Sequence, residues 1–317
     1  MQFGAYMSKR TRRFGWKTLL AVALAVTAAG ALVGVGEVLS APARAVVGAA
    51  PADLHAIDVV IPMQHAALQV KGWLVRGQPG QGAILLLHGV RANRIAMVGR
   101  ARFLARAGYT VLLVDLPAHG ESGGDRITFG AREKEGVNAA LAWLRGQAPG
   151  ERIGAIGVSL GAASLVLAHP APALDAVVLE SMYPTIDDAV ANRLRVRLGT
   201  AGALAAPLLV QQLPWRAQVA PKALRPVDDI ASMASPVFVI SGTVDTQTPA
   251  FESRRIFDVV RASKQLWLVE GAAHVNLHNF AREDYERRVG DFMARHLRVG
   301  VTPPSSNAVE KIYNEHI

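Results

Sequence analysis

The chain has 317 residues, of which 51% are hydrophobic, and this is enough apolar material for the core of one large domain or two small ones. Such a length and composition exclude a disordered chain and a small disulfide-stabilised protein. The sequence contains no cysteine, which excludes disulfides, thiolate nucleophiles, zinc–thiolate sites and iron–sulfur clusters together. Any covalent catalysis must therefore use another nucleophile.

The net charge of +9 is concentrated in two segments. Residues 1–17 carry +5 without an acidic residue, the segment between Glu180 and Asp228 carries +4, and the remainder of the chain is neutral. A nucleic-acid-binding protein is expected to show a basic stripe interleaved with aromatic residues or a recognisable binding motif, and this sequence has neither. We therefore expect no nucleic-acid partner.

An apolar segment follows the N-terminal cations. Residues Thr18 to Gly36 are uncharged, and as a helix with a rise of about 1.5 Å per residue they span close to the roughly 30 Å hydrocarbon core of a bilayer. The preceding cations predict a cytoplasmic N-terminus and an exported body. Two interpretations remain: an uncleaved inner-membrane anchor, which we favour, or a signal peptide removed at the small-residue site Ala43-Arg44-Ala45. The expected location is the bacterial cell envelope, and the body would be periplasmic or secreted if the leader is cleaved.

From about residue 56 the sequence alternates short apolar runs with helical segments, as is typical of an α/β fold whose mostly parallel, eight-stranded sheet carries helices on both faces. The runs Ile57–Ile61 and Leu68–Val75 are predicted to open the sheet as an antiparallel pair. The other predicted strands are Ala83–Leu87, Thr110–Val114, Ile153–Val158, Ala176–Leu179, Val237–Ile240 and Leu266–Val269, and the predicted helices are Ala96–Ala107, Ala131–Arg145, Leu160–Ala168, Phe251–Ala262 and Phe280–Leu297.

The predicted elements divide the chain into three parts. Residues 1–45 form the basic segment with the anchor or signal peptide, residues 46–300 form the α/β domain, and residues 301–317 form a flexible tail. The proline-punctuated segment at about 185–231 interrupts the alternation of strands and helices. We expect it to be a helical cap inserted over the sheet.

Two segments match the pattern G-x-S-x-G, around Ser159 and around Ser122. A nucleophile elbow requires a strand that runs directly into the serine and a helix that leaves it, with small flanking residues because the turn is tight. Ser159 meets this requirement, since it lies between the predicted strand Ile153–Val158 and the predicted helix that begins at Leu160. Ser122 lies in a glycine-rich loop well beyond its strand. The sequence therefore predicts Ser159 as the nucleophile and rejects Ser122.

A serine hydroxyl needs an imidazole to accept its proton and a carboxylate to orient that imidazole. In enzymes built on such an elbow the acid and the histidine follow the serine in the chain, each after a strand. Asp245 follows the strand that ends at Ile240, and His274 follows the strand that ends at Val269. They are the predicted acid and base, and His278, one helical turn beyond His274, remains an alternative base.

The oxyanion of an acyl-transfer reaction needs two backbone N–H donors. The residue after the nucleophile, Leu160, is predicted to supply one, and Val90 in the loop after the third strand is predicted to supply the other. His88 in the same loop is interpreted as a side chain that stabilises the loop by hydrogen bonds to neighbouring backbone.

Five motifs in this order resemble those of the α/β-hydrolase superfamily: Ile84–Gly89, Asp115–Gly123, Gly157–Gly161, Gly242–Asp245 and Gly271–His274. More narrowly, the chain is similar over roughly residues 56–298 to small bacterial hydrolases of the serine-aminopeptidase-like and dienelactone-hydrolase-like kind. In that family the segment Asp115–Gly123 shapes a turn and is not catalytic, which agrees with the rejection of Ser122. The superfamily also contains lyases, haloperoxidases and non-catalytic members, so the resemblance alone does not fix the reaction.

These residues predict a serine hydrolase that cleaves carboxylic esters through an acyl-enzyme, without a metal or an organic cofactor. The expected partners are a small-molecule or lipid-like acyl substrate and the membrane, with Leu204, Leu208 and Leu209 of the cap as candidate substrate contacts. Three alternatives stay open: a peptidase, a thioesterase, or a membrane-anchored binding protein that retains the fold without turnover. The sequence makes no prediction of oligomeric state.

Overall fold

The computed structural model describes residues 5–64 and 68–298, so the predicted tail at 301–317 lies outside the described residues. The described chain contains an eight-stranded sheet. Its strands are β1 (Ile57–Pro62), β2 (Gln69–Val75), β3 (Ala83–Leu87), β4 (Thr110–Val114), β5 (Ile153–Val158), β6 (Ala176–Glu180), β7 (Val237–Gly242) and β8 (Lys264–Val269).

The strands are arranged in the order β8-β7-β6-β5-β3-β4-β2-β1. Strand β2 pairs antiparallel with both β1 and β4, whereas all other neighbours pair in parallel. The predicted mostly parallel, eight-stranded sheet is therefore confirmed. Because seven strands run in one direction, the loops that follow them meet at one edge of the sheet.

The described helices are α1 (Ala5–Ser40), α2 (Val98–Arg106), α3 (Glu133–Gln147), α4 (Leu160–Leu167), α5 (Ile186–Ala203), α6 (Ala206–Val210), α7 (Leu213–Ala217), α8 (Pro226–Asp229), α9 (Ala250–Val259), α10 (Leu277–Phe280) and α11 (Arg282–Leu297). Each helix predicted within the α/β domain is present, with ends displaced by a few residues. The largest displacement is at the end of α9, which stops at Val259 instead of Ala262. At the start of α2, residues Arg94–Met97 form a 3₁₀ turn that precedes the helix.

The central strands are covered on both faces, which explains their continuous apolar sequences. In β3, for example, Leu85 and Leu87 pack in the core formed with α3 and α4, whereas Ile84 and Leu86 pack in the core formed with α2 and α11. All five residues of this strand are fully buried. The sheet thus provides a rigid platform for the loops at its carboxyl edge.

Four short or bent helices, α5 to α8, connect β6 to β7. Thr185 begins α5, because its hydroxyl accepts a hydrogen bond of 3.1 Å from the backbone N–H of Asp188. Gly199 bends α5, with φ of 71° and ψ of −169°, a conformation that glycine adopts without strain. Prolines in the first turn of α6, α7 and α8 fit the preference of proline for helix starts.

Helix α1 contains a segment, Gly15–Ser40, that is long and apolar enough to cross a membrane, with a mean hydropathy of 2.3. Apolar side chains in its first part, such as Leu19 and Leu24, are exposed to solvent instead of packing on the body. Membrane anchors and signal sequences share this length and composition.

Candidate active site

Ser159 occupies a sharp turn between β5 and α4. Its backbone has φ of 49° and ψ of −109°, and its N–H donates to the carbonyl of Glu180 at 2.8 Å. The flanking glycines are required by close approaches: a Cβ on Gly157 would lie 2.6 Å from Cα of Ala162, and a Cβ on Gly161 would lie 2.6 Å from the carbonyl oxygen of Leu87. The turn therefore has the strain and the small neighbours of a nucleophile elbow.

Asp245 and His274 lie on the loops that follow β7 and β8. Nδ1 of His274 donates to Oδ2 of Asp245 at 2.8 Å, and Oδ1 of Asp245 accepts the N–H groups of Gln247 and Thr248, both at 2.8 Å. The Asp245 side chain is fully buried, and that of His274 is 19% exposed. The carboxylate is thus held in a fixed position, and it orients the imidazole through Nδ1.

The two loops are held together by backbone contacts. The N–H of Val244 donates to the carbonyl of Ala272 at 3.0 Å, and a Cβ on Gly242 would lie only 2.0 Å from that same oxygen. Glycine at position 242 therefore permits the close approach that brings Asp245 to His274.

Ser159 and His274 line one cavity of about 290 Å³, together with Gly89, Val90 and Ser181. Gly89 lies directly beside the elbow, because a Cβ on it would be 3.7 Å from Cβ of Ser159. Oγ of Ser159 is buried and has no hydrogen-bond partner among the described residues. The hydroxyl is therefore free to rotate, and a hydrogen bond to a catalytic base is often completed only when substrate is bound.

The loop after β3 is held in place by His88. Nδ1–H of His88 donates to the carbonyl of Gly89 at 2.7 Å, and Nε2 accepts the N–H of Leu116 at 3.0 Å. Burial lowers the pKa of His88 to about 3, so the ring is neutral and uses both nitrogens to support the backbone. This agrees with the interpretation of His88 as a loop-stabilising residue.

Ser122, which was rejected as the nucleophile, and His278, the alternative base, both contact residues outside the candidate site. Ser122 is fully buried, where its hydroxyl donates to the carbonyl of Asp115 at 2.6 Å and accepts the N–H of Lys71 at 2.8 Å. His278 is also buried, with Nε2 3.0 Å from Glu286 and its ring stacked on Phe103. Both side chains serve packing.

Comparisons with known proteins agree with this architecture. Residues 62–218 match the family described as X-Pro dipeptidyl-peptidase (S15 family). The chain is 30% identical over 230 residues to the uncharacterized protein Rv2307c of Mycobacterium tuberculosis, covering 68% of this chain and 72% of that protein. It is 25% identical over 238 residues to the uncharacterized protein YqkD of Bacillus subtilis, covering 74% and 78% respectively.

Among solved structures, the esterase Pf2001 of Pyrococcus furiosus superimposes with a TM-score of 0.68 and 26% identity, covering 82% of this chain and 98% of that one. The chain belongs to the α/β-hydrolase superfamily. The matched family and the structural neighbours also support a serine hydrolase in general, and hence an enzyme.

This α/β-hydrolase has a second cavity of about 250 Å³ beneath α5, which shares Val90, Arg193 and Gln247 with the first. Its lining is mostly apolar and includes Leu39, Phe129, Leu160, Tyr183 and Val190. The two predicted oxyanion donors, Val90 and Leu160, therefore lie at the junction between the nucleophile and an apolar chamber.

The predicted substrate contacts of the cap are placed differently. Leu204 is 81% exposed and Leu208 is 59% exposed, and neither lines the cavities of about 290 and 250 Å³. Leu209 is buried and lines a small void of about 30 Å³ beside α1. Leu204 and Leu208 therefore lie outside both cavities, and the role of all three leucines as substrate contacts stays a prediction.

Arg193 and Leu39 are among the lining residues that sequence reasoning missed. Arg193 lines both cavities, and burial lowers the pKa of its guanidinium. The cluster of basic residues in the cap was the available signal, but it did not distinguish Arg193 from its exposed neighbours. No sequence feature indicated Leu39, because it belongs to the N-terminal segment that was predicted to lie outside the α/β domain.

Proposed function

We propose that this chain is a carboxylester hydrolase. Oγ of Ser159 attacks the ester carbonyl while Nε2 of His274 takes its proton, and the backbone N–H groups of Leu160 and Val90 stabilise the oxyanion. The new bond joins Oγ to the acyl carbon, the carbon–oxygen bond to the alcohol breaks, and His274 returns the proton to the departing alcohol. Water, deprotonated by His274, then releases the carboxylic acid and restores Ser159.

The observation that carries this proposal is the shared geometry of Ser159 and the His274–Asp245 pair. The 2.8 Å bond to a buried carboxylate fixes the tautomer of His274, and the imidazole and the elbow serine line the same cavity. Such a pair activates a serine that is a weak nucleophile by itself.

Cleavage of an ester is favoured over cleavage of a peptide by the charge of the cavities. A dipeptidyl-peptidase must recognise the terminal ammonium group of its substrate, and a carboxylate is the natural partner for that group. The described residues that line the two chambers include arginines, such as Arg193 and Arg197, and no aspartate or glutamate. The match to the Pyrococcus furiosus esterase over most of the chain supports the same choice.

A peptidase remains the second candidate, because the matched family is described as X-Pro dipeptidyl-peptidase. That match ends at residue 218, before Asp245 and His274. A panel of p-nitrophenyl esters and aminoacyl p-nitroanilides separates the two activities, and we expect turnover of the esters.

We also propose that α5 to α8 form a cap over the active site and that α1 is a retained membrane anchor. The end of α1 is built into the body: Ser40 is 1% exposed, its carbonyl accepts the N–H of Ile127 at 2.8 Å, and its hydroxyl accepts from Arg126 at 2.8 Å. Arg44 donates to the carbonyls of Ser122 and Gly124 at 2.6 and 2.7 Å. Cleavage after Ala45 would remove all of these contacts.

The two G-x-S-x-G serines provide a matched test. We expect Ser159→Ala to abolish labelling by a fluorophosphonate probe and to lower ester hydrolysis by several orders of magnitude, as removal of a triad serine does in other hydrolases. Ser122→Ala should keep both labelling and turnover. It should lose about 1–3 kcal/mol of stability, because the N–H of Lys71 loses its buried acceptor. Labelling that survives in Ser159→Ala and disappears in Ser122→Ala would refute the assignment of the elbow.

A further inference from the structure

The cap is fastened to the last turns of α1. Nε2 of Gln212 donates to the carbonyl of Leu32 at 3.2 Å, and Nη2 of Arg216 donates to the carbonyl of Val33 at 2.7 Å. Arg216 is also paired with Glu37, and its side chain is only 4% exposed. Gly36 permits this approach, since a Cβ on it would lie 2.2 Å from Oε1 of Gln212.

These contacts fix the depth of the cap relative to a membrane that α1 crosses. Lys17 precedes the uncharged run, and a helix with a rise of about 1.5 Å per residue crosses the roughly 30 Å hydrocarbon core in about 20 residues, so that the far boundary falls near Glu37. Leu32 and Val33 then lie within the last turn or two of the core. The cap residues that bind their carbonyls must therefore lie at the membrane surface, where the two Nη groups of Arg216 have carbonyl and carboxylate partners.

The outer surface of the cap has the composition of a membrane-contacting surface. Leu204, Leu208 and Trp215 are 81%, 59% and 60% exposed. Arg195 and Arg197 of α5 are exposed as well. Tryptophan and cations beside apolar side chains are typical of protein surfaces that rest in the lipid headgroup region.

Three neighbouring cavities, which share lining residues, lie between Ser159 and the junction of α1 with the cap. The cavity at Ser159 adjoins the apolar chamber, which shares Leu39, Phe129, Ile186 and Val190 with the void of about 30 Å³. That void lies in the seam between α1 and the cap, which we define by Gly36 and Leu39 on α1 and by Leu209, Gln212 and Arg216 on the cap. The apolar chamber thus extends from the oxyanion donors toward the membrane-facing side of the molecule.

We propose that the acyl chain of the substrate enters from the bilayer through this seam, and that the substrates are esters of long acyl chains resident in the membrane. The inference rests on the proposed ester hydrolysis and names the substrate class of the same site. An acyl chain that moves from the hydrocarbon core into an apolar chamber stays out of water throughout. The reaction is the one given above, with Ser159 as the acyl acceptor and water as the second reactant.

The test uses the full chain in phospholipid nanodiscs and compares two esters. One is p-nitrophenyl palmitate, which partitions into the bilayer, and the other is p-nitrophenyl acetate, which reaches the site from water. Gly36→Leu should force Gln212 and Arg216 away from α1, whereas Gly34→Leu is its matched control, because a Cβ at position 34 would meet nothing within 4 Å among the described residues outside its own helix. We expect the ratio of the palmitate rate to the acetate rate to fall at least about tenfold in Gly36→Leu and to stay at the wild-type value in Gly34→Leu.

An unchanged ratio in Gly36→Leu would overturn the proposal while leaving ester hydrolysis intact. A wild-type chain that hydrolyses neither ester and is not labelled by a fluorophosphonate probe would instead refute the proposed function, so the two failures are distinguishable.

A second measurement does not depend on activity. Fluorescence of the wild-type chain in vesicles containing brominated phospholipids should include a quenched component that Trp215→Phe removes, because Trp215 would lie among the lipids. Equal quenching in the two proteins would overturn the placement of the cap in the membrane surface.

Discussion

His88 is a buried imidazole whose two nitrogens are both used to hold the loop that carries Val90. A proton on Nε2 would break the bond from Leu116 and place a charge in the core. The pKa of this side chain is therefore lowered from 6.5 to about 3 by burial, with a smaller contribution from His119. The loop that would supply an oxyanion donor depends on a neutral ring.

The lowered pKa predicts a loss of stability in acid. Between pH 6.5 and about 3 the unfolded chain binds a proton at position 88 that the folded chain does not bind, so the free energy of unfolding falls as pH falls, by up to about 1.4 kcal/mol per pH unit. His88→Gln cannot bind that proton. We expect the variant to be less stable than wild type at pH 7.5, and the difference to shrink at pH 5.

Thermal unfolding in detergent at the two pH values measures this effect, and His169→Gln is a control because the His169 side chain is 56% exposed. His119, whose pKa is also lowered by burial, titrates in both proteins. A difference between wild type and His88→Gln that is the same at both pH values would contradict the assignment.

At the scale of single residues, the sequence predicts the candidate site residues that lie just after the end of a strand. Ser159, Asp245 and His274 could be predicted as candidates because each lies in the turn or loop that follows a predicted strand. Leu204 and Leu208 could not be placed, since their direction depends on the bend at Gly199 and on how the short cap helices pack.

Among the elements, a buried ionic cluster joins α2, β6 and the loop that carries His274. Nε of Arg100 donates to Oε1 of Glu180 at 2.8 Å, and Nη1 donates to Oδ1 of Asn276 at 3.1 Å. The hydroxyl of Tyr285 on α11 donates to the same carboxylate. Arg100 therefore connects the end of a central strand with the loop two residues beyond the proposed base.

Removal of this arginine leaves the buried carboxylate of Glu180 without its positively charged partner. We expect Arg100→Gln to lower the free energy of unfolding by about 3–5 kcal/mol. Arg102→Gln, on the same helix, removes an ion pair with Asp53 whose side chains are 43% and 56% exposed, and should cost far less because water screens the pair. Thermal unfolding of the two variants makes the comparison, and equal losses would show that Arg100 has no special structural role.

The strands were easier to predict than the cap for a physical reason. A strand buried on both faces must be apolar throughout, so β3 and β5 are visible as continuous runs in the sequence. Helices α6 and α7 are each five residues long and exposed on one side, and their position is set by contacts with α1 that are distant in sequence. The pattern of apolar and polar residues within a short segment gives little information about contacts with residues that are distant in the sequence.

For the whole molecule, the main question is whether the N-terminal helix is a signal peptide that is cleaved off or a retained part of the folded protein. The segment that follows α1 is bound to the α/β domain, because Ala43 and Arg44 form a short parallel strand pair with His119 and Gly120. Glu121 extends this contact, because its carboxylate accepts the N–H groups of Val47 and Gly48 at 3.1 and 3.2 Å and pairs with Arg94. The bond to Arg94 is the main cause that lowers the pKa of Glu121 to about 2, so this carboxylate stays charged.

These contacts predict that loss of the segment destabilises the body. A chain that begins at residue 46, as cleavage would produce, should unfold with a free energy at least about 2 kcal/mol lower than a chain that begins at residue 31, because several hydrogen bonds worth about 1 kcal/mol each are lost. Both truncated chains lack most of the apolar span, so solubility does not separate them, and thermal unfolding in the same detergent gives the comparison. The protein extracted from membranes should correspondingly keep its full mass of 33.7 kDa. Recovery from membranes of a shorter chain that is as stable as the chain from residue 31 would show that the helix serves only as a signal peptide. The seam beside Gly36 would then be absent from the mature protein.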